Sequence, residues 1–322
     1  MIELFPWLII AYCVAFLLMS YIIPKLKQLG IVGHDVNKPD RPEVAEMGGL
    51  GVIGAVVFIL IFIIAFQTFN PSIPLTIWDN KVLGAILASI LIFAVIGVID
   101  DLYSIPQLPK AVIPMLAGIP LLTILSSTFI YIPIIGNVDF GIFYYAILFL
   151  SLAVSSNLTN MLAGFNGMEW GMAIPMFFGS FFIGFLLNIP IVVFLSGIML
   201  GACIAGFVFG FPIAKAFPGD VGTLCIGGMM AIILFTGHIE RYAIVFIPYI
   251  VDFVIKAKNG MPSRGWWGTY RNEMLHCDGE PKGFAQTVMK WANGISEIRL
   301  VMWFIAMSGI FMCLGYVAVM WP

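Results

Sequence analysis

Stretches of about 20 mostly apolar residues, long enough for a helix to cross a bilayer, recur along this chain. They lie at 5–23, 50–69, 82–99, 111–132, 142–156, 171–187, 191–209, 223–235, 242–255 and 300–320. Backbone N–H and C=O groups find no partner in hydrocarbon, so segments of this kind fold as helices, whose hydrogen bonds are internal. Hydrophobic residues make up 61% of the 322 and charged residues 10%, a balance that excludes a soluble domain of this size. The expected fold is therefore all-α: a polytopic membrane protein with about ten transmembrane helices, one or two of the short or proline-bearing runs being re-entrant. No internal repeat, low-complexity tract or linker is evident, so residues 1–322 read as one integral-membrane domain.

The basic residues orient the chain. Loops 25–49, 100–110, 157–170, 210–222 and 256–299 carry all of the Lys and Arg except Lys81 and Arg241. Positive residues stay on the cytosolic side, which predicts five cytosolic loops and both termini outside. Met1-Ile2-Glu3 lacks the basic start of a signal peptide, so the first span is expected to be retained. Cys13, Cys203, Cys225 and Cys313 sit in apolar runs, as small buried hydrophobes do. Cys277 lies in a loop beside His276, but no metal-ligand spacing such as C-x-x-C or H-x-x-H accompanies it, so no zinc site is expected.

The polar chemistry lies in the same five loops. Asp100-Asp101 ends the run 82–99. Adjacent carboxylates repel, and charge near a bilayer is costly, which points to an aqueous cavity or a metal. Successive helical residues point about 100° apart, so the two acids serve different partners. Pro106 and Pro109 let Lys110 turn back toward them. A capping role alone is disfavoured, because acids are unfavourable at a helix C-terminus.

Asn157 and Asn160 share a helix face, and Gly164 and Gly167 permit a turn that presents Asn166 ahead of Glu169. Asp220, between Gly219 and Val221, starts the next span, where a simple helix cap is a serious alternative. In the first loop, Glu46 precedes Met47-Gly48-Gly49. The last loop offers Arg264, Arg271 and His276 for phosphate oxygens and Trp266, Trp267 and Tyr270 for the headgroup level. There, Phe284, Val288, Trp291, Ile295 and Ile298 recur at helical spacing, which predicts an amphipathic helix in the interface. Carboxylates that hold Mg²⁺, with Lys and Arg to neutralise oxygens, are what phosphoryl transfer requires. The apolar setting makes one substrate a lipid.

Four ordered motifs carry a family likeness: Lys38-Pro39 with Met47-Gly48-Gly49; Asp100-Asp101-Leu102 with Lys110; Asn157 through Glu169; and Gly219-Asp220. From about residue 25 to 230, weakening in the last loop, the chain resembles the polyprenyl-phosphate HexNAc-1-phosphate transferases. The Ala-Gly-x-Asn-Gly-x-Glu form at 163–169 is most similar to the eukaryotic and archaeal UDP-N-acetylglucosamine–dolichyl-phosphate branch. Bacterial muramoyl-pentapeptide enzymes carry a run of histidines in the last cytosolic loop, where this chain has only His276.

The resemblance implies that UDP-GlcNAc and dolichyl phosphate give GlcNAc-pyrophosphoryl-dolichol and UMP, the first step of lipid-linked oligosaccharide assembly for N-glycosylation. Asp220 and Asn160 would bind Mg²⁺, or Mn²⁺ in its place. Lys110 would hold a phosphate oxygen, and Asp100 would position or deprotonate the lipid phosphate with Asp101 in support. Asn166 would read the uracil, Glu46 would line the nucleotide pocket, and Arg264 and His276 would contact substrate. The partners implied are UDP-GlcNAc and a dolichyl or polyprenyl phosphate in the bilayer; a homodimer is compatible and no nucleic acid is expected. The compact loops favour a prokaryotic, archaeal cell membrane, with the active site on its cytosolic face.

Another UDP-HexNAc or another polyprenyl phosphate, for cell-wall polymer synthesis, is the alternative within this chemistry. A transporter using Asp252 and proline-broken spans is one rival, although transport sites lie at mid-membrane depth. An intramembrane aspartyl protease pairing Asp220 with Asp252 is the other, but Val251 stands where a Tyr-Asp partner would be needed.

Overall fold

The computed structural model describes residues 2–72, 75, 78–125, 127–132, 135–262, 265 and 267–321. Eight helices are long and apolar enough to cross a membrane. They are α1 (Phe5–Gln28), α2 (Gly49–Phe69), α3 (Asn80–Tyr103), α6 (Ile142–Met161), α7 (Met168–Leu186), α8 (Pro190–Gly210), α9 (Gly219–Gly237) and α12 (Glu297–Met320). Short pieces fill the remainder: α4 (Gln107–Val112), α5 (Gly118–Leu121), α10 (Ile247–Lys258) and α11 (Phe284–Trp291). Three antiparallel hairpins complete the fold, β1 (Val32–His34) with β2 (Glu43–Ala45), β3 (Phe129–Ile132) with β4 (Gly136–Asp139), and β5 (Thr269–Arg271) with β6 (Met274–His276).

Eight of the ten expected spans are thus uninterrupted helices; the other two are broken at proline. Residues 107–121 pass from α4 through the 3₁₀ turn Ile113–Ala117 into α5, with Pro109, Pro114 and Pro120 in the path. Residues 240–258 run from the 3₁₀ segment Glu240–Phe246 into α10, which opens with Pro248 at its second position. Proline lacks the N–H that an α-helix needs and crowds the preceding turn. The second segment still joins the two ends of the bundle. Lys110 and Lys256 lie at one end, beside Asp220 and Met161 respectively. Arg241 lies at the other, stacked on Tyr131 of β3 and bonded to the Trp321 carbonyl. The stretch 240–258 rises roughly 32 Å by standard helical increments, enough for a hydrocarbon core of about 30 Å.

The most enclosed helices are α8 and α9, while α1 and α12 turn much of their surface outward. Van der Waals packing holds membrane helices together, and small residues let their backbones approach. A Cβ on Gly227 of α9 would collide with the Ser155 carbonyl of α6, and one on Gly97 of α3 would collide with the Val221 backbone of α9. Cys203 and Cys225 are buried as expected; Cys13 and Cys313 are exposed, because they fall on the outer faces of α1 and α12.

The five polar loops meet at one end. Phe217 N–H donates to the Ala45 carbonyl (2.8 Å), Gly48 N–H to Phe217 (2.7 Å) and Gly49 N–H to Pro218 (2.8 Å). The last loop folds differently from the amphipathic helix expected for it. The helix stops at Trp291, since Asn293 and Gly294 adopt positive φ. Val288 is buried, and Phe284 packs edge-on against Trp303 and Phe304 of α12. Its apolar side therefore faces protein, leaving Trp291 exposed.

Candidate active site

The two acids at the end of α3 part company as the 100° turn requires. Asp100 accepts a hydrogen bond from Ile105 N–H (2.7 Å) and forms an ion pair with Lys110. Asp101 instead accepts from the N–H groups of Asp220 (2.7 Å) and Val221 (3.1 Å). It thus caps the start of α9 from another segment, satisfying two donors that a helix leaves open and placing negative charge at the positive end of its dipole. This settles the capping question for Asp220. With the cap supplied by Asp101, the Asp220 side chain faces outward, 3.0 Å from Lys110 Nζ through Oδ2 and bonded through Oδ1 to the Asn160 amide.

Neighbouring groups hold these side chains in register. Asn160 also donates to Thr223 Oγ1 (2.9 Å), and Thr159 Oγ1 donates to the Thr223 carbonyl (2.8 Å), locking α6 to α9. Asn157 donates to the Lys110 carbonyl (3.3 Å), so the second asparagine on that face fixes the backbone that carries the lysine. Burial works against a charged Lys110, but Asp220 and Asp100 outweigh it and raise its pKa.

Glu46 lies beside this cluster, its carboxylate over Gly33, where a Cβ would collide with it. Burial, followed by repulsion from Asp101, Asp220 and Glu169, pushes its pKa up to about 7. Asn166 occupies an adjoining buried junction. Its amide donates to Asp35 (2.9 Å) and its backbone N–H to Glu297 (2.9 Å), while Asn37 donates to the Gly164 carbonyl (2.8 Å). Lys38 pairs with Glu297, and Glu169 accepts from Gly164 N–H (2.8 Å). Sequence reasoning passed over Asp35, Asn37 and Glu297. No local pattern marks them, because the contacts that tie them to the site join residues more than a hundred positions apart.

His276 packs against Gly294, and Arg271 forms an exposed ion pair with Asp278 of the same loop (2.7 Å). Arg264 and Trp266 lie outside the described residues. Trp267 and Tyr270 line a polar cavity of 460 Å³ with Lys38, Arg41 and Lys282. The structure therefore joins Asp100, Asp101, Lys110, Asn160 and Asp220 in one contiguous cluster, with Glu46 alongside and Asn166 in the adjoining junction.

A groove of 810 Å³ opens at Lys110, Asn157, Asn160 and Lys256 and continues between α6 and α10 past Leu150, Val154, Ile250 and Phe253. A smaller cavity of 270 Å³ shares Val154, Leu158 and Ile250 with it and reaches Glu240 at the far end. A polar mouth followed by apolar walls is the shape an amphiphile with an anionic head requires. Two carboxylates paired with one ammonium and a third bonded alongside, at the foot of an apolar groove, are the arrangement expected of a membrane-embedded enzyme acting on charged phosphate groups.

Comparison with known proteins gives the same class. The signature of glycosyl transferase family 4 matches residues 83–238. A Saccharolobus solfataricus protein with the provisional name UDP-N-acetylglucosamine–dolichyl-phosphate N-acetylglucosaminephosphotransferase is 30% identical, over 94% of this chain and 93% of its own. The Schizosaccharomyces pombe protein of that name is 24% identical, over 77% of this chain and 65% of its own. A phospho-N-acetylmuramoyl-pentapeptide-transferase of Halalkalibacterium halodurans is 27% identical, over 74% and 76%. The chain belongs to glycosyl transferase family 4, among the polyprenyl-phosphate HexNAc-1-phosphate transferases, and is an integral-membrane transferase.

The donor set suits a magnesium ion. Mg²⁺ binds through one or two carboxylates and completes its shell with water and substrate phosphates. Asn160, which lines the groove's mouth, and Asp220, bonded to it, supply one amide and one carboxylate. Among the described residues no group of three or more His, Cys, Asp and Glu forms a protein cage.

Proposed function

We propose that the chain transfers N-acetylglucosamine 1-phosphate from UDP-GlcNAc to dolichyl or a related polyprenyl phosphate, with Mg²⁺ or Mn²⁺, on the cytosolic face of the cell membrane. The observation that carries this reading is Lys110, held between Asp100 and Asp220 at the mouth of the 810 Å³ apolar groove. The lipid tail lies in the groove and its phosphate meets the charged cluster. The similarity to dolichyl-phosphate enzymes supports the choice of sugar and lipid.

The acceptor phosphate attacks the β-phosphorus of UDP-GlcNAc. A bond forms from its oxygen to that phosphorus, the bond from phosphorus to the bridging oxygen breaks, and UMP leaves with the electron pair. A phosphomonoester has its second pKa near ~6 and arrives largely ionised, so alignment matters more than a general base. Asp100 orients Lys110, and Lys110 stabilises charge on the phosphate oxygens. Asp101 fixes the start of α9 and with it the direction of Asp220. Held by Asp220 and Asn160, Mg²⁺ would draw charge off the pyrophosphate as UMP departs. Asn166 and Glu46 are assigned to the nucleotide, and Arg264 and His276 to the donor's pyrophosphate and sugar.

The test is incubation of purified protein with dolichyl phosphate, UDP-GlcNAc and Mg²⁺, with and without EDTA, following UMP and the sugar-pyrophosphoryl lipid. Equal, metal-dependent formation of both is expected. If neither forms with any UDP-HexNAc and polyprenyl phosphate, the transferase assignment of this site is wrong.

A further inference from the structure

Two cations line the mouth of the apolar groove, Lys110 on the α4 side and Lys256 on the α10 side. The chemistry above uses the first. The second stands one turn beyond Asp252 on α10, and both residues of that pair are buried. Lys256 Nζ is 2.8 Å from Asp252 Oδ2 and donates to the Met161 carbonyl, at the end of α6 and next to Asn160. Asp252 Oδ1 also accepts from Phe284 N–H (2.8 Å), which starts α11. The pair is thus interior.

Taking an ammonium and a carboxylate out of water costs several kcal/mol for each ion, and apolar residues of like size could tie α10 to α6 without that cost. The charge matters because of what surrounds it. Lys110 is already shared between Asp100 and Asp220, and Asp101 adds a third carboxylate behind them on the start of α9. An anionic headgroup approaching along the groove would be repelled by that cluster unless the opposite wall attracted it. Lys256 supplies a cation on that wall, and its link to Met161 sets it one residue from the Asn160 amide.

We propose that Lys256 receives the phosphomonoester headgroup of the lipid acceptor at the groove's mouth, across from Lys110, and so selects phosphorylated over neutral polyprenols. This rests on the lipid-acceptor reading of the groove. Lys256 is a substrate-binding residue for one of the two substrates, and its loss separates them.

The experiment compares wild type, Lys256→Met, Lys256→Arg and Asp252→Asn, varying polyprenyl phosphate and UDP-GlcNAc in turn. Lys256→Met is expected to raise KM for the lipid phosphate about tenfold or more, as for loss of one desolvated charge contact. KM for UDP-GlcNAc should move less than about twofold, and Lys256→Arg should restore most of the lipid affinity. Asp252→Asn keeps an acceptor for Phe284 N–H and removes the competing charge, so lipid KM should hold or fall. An unchanged lipid KM in Lys256→Met overturns the inference. So does a joint rise of both KM values with a loss of thermal stability that Asp252→Asn shares, since that marks a structural tie. If wild type shows no turnover, the transferase reading fails by itself, and direct binding then decides the role of Lys256. Preference for polyprenyl phosphate over polyprenol, abolished by Lys256→Met, sustains the inference; no such preference ends it.

Discussion

At the scale of single residues, adjacent acids have different jobs because a helix points them apart. Asp220 reaches the site, and Asp220→Ala should lower turnover by at least about a hundredfold, the usual cost of removing one preorganised charge. The protein should stay folded and membrane-inserted; near-normal turnover would remove Asp220 from the chemistry. Lys110→Ala should lose rate mainly in kcat, whereas a change confined to KM would mark simple binding.

Glu46 makes a pH prediction. Its pKa of about 7 in the folded chain lies above the ordinary value near ~4.3. The folded state therefore holds an extra proton between those values. The stability it brings is full below the lower one and is lost as pH rises through the upper. Glu46→Gln should therefore flatten the fall in Tm between about pH 5 and about pH 8 in EDTA, by roughly 2–4 °C for each kcal/mol of penalty removed. An unchanged slope would show that Glu46 is not the group responsible. Which residues carry charge, and that Asp100 and Asp101 must diverge, was readable from spacing. That Asp101 caps a helix starting at residue 219 was not, because the bond joins segments 119 residues apart.

At the scale of elements, helix identity followed from apolar length, and every interruption has a local cause. Prolines break 107–121 and 240–258, and Asn293-Gly294 ends the last interfacial helix. Orientation of that helix was the miss. Amphipathic spacing shows that one face is apolar but not whether lipid or protein covers it, and here α12 covers it. Close approach of α3 to α9 makes Gly97 a sensitive position. Gly97→Ala places a methyl group against the Val221 backbone, which cannot swing aside as a side-chain end can. It should destabilise the protein by about 1–3 kcal/mol and, by displacing Asp101 from α9, lower activity about tenfold or more. Wild-type activity and Tm in that variant would show that the helices separate without disturbing the site.

At the scale of the whole molecule, the five polar loops lie at one end and both termini at the other, with Phe5 beside Phe181 and Trp321 beside Arg241. Combined with the Lys and Arg bias, this predicts that a reporter at the C-terminus is extracytoplasmic and a label at Asp278 cytosolic; the reverse pattern would invert the orientation. The sequence by itself determined the membrane class, the apolar segments and the acids, amides and lysine of the cluster. Those follow from solvent preference and residue chemistry, which act locally. Tertiary structure alone decided that Lys110 sits between Asp100 and Asp220, that Asn166 meets Asp35 and Glu297, and that a groove runs from the cluster along α6. Such contacts arise from how closely whole helices pack. That depends on side chains from several segments at once, and no single stretch of sequence encodes it.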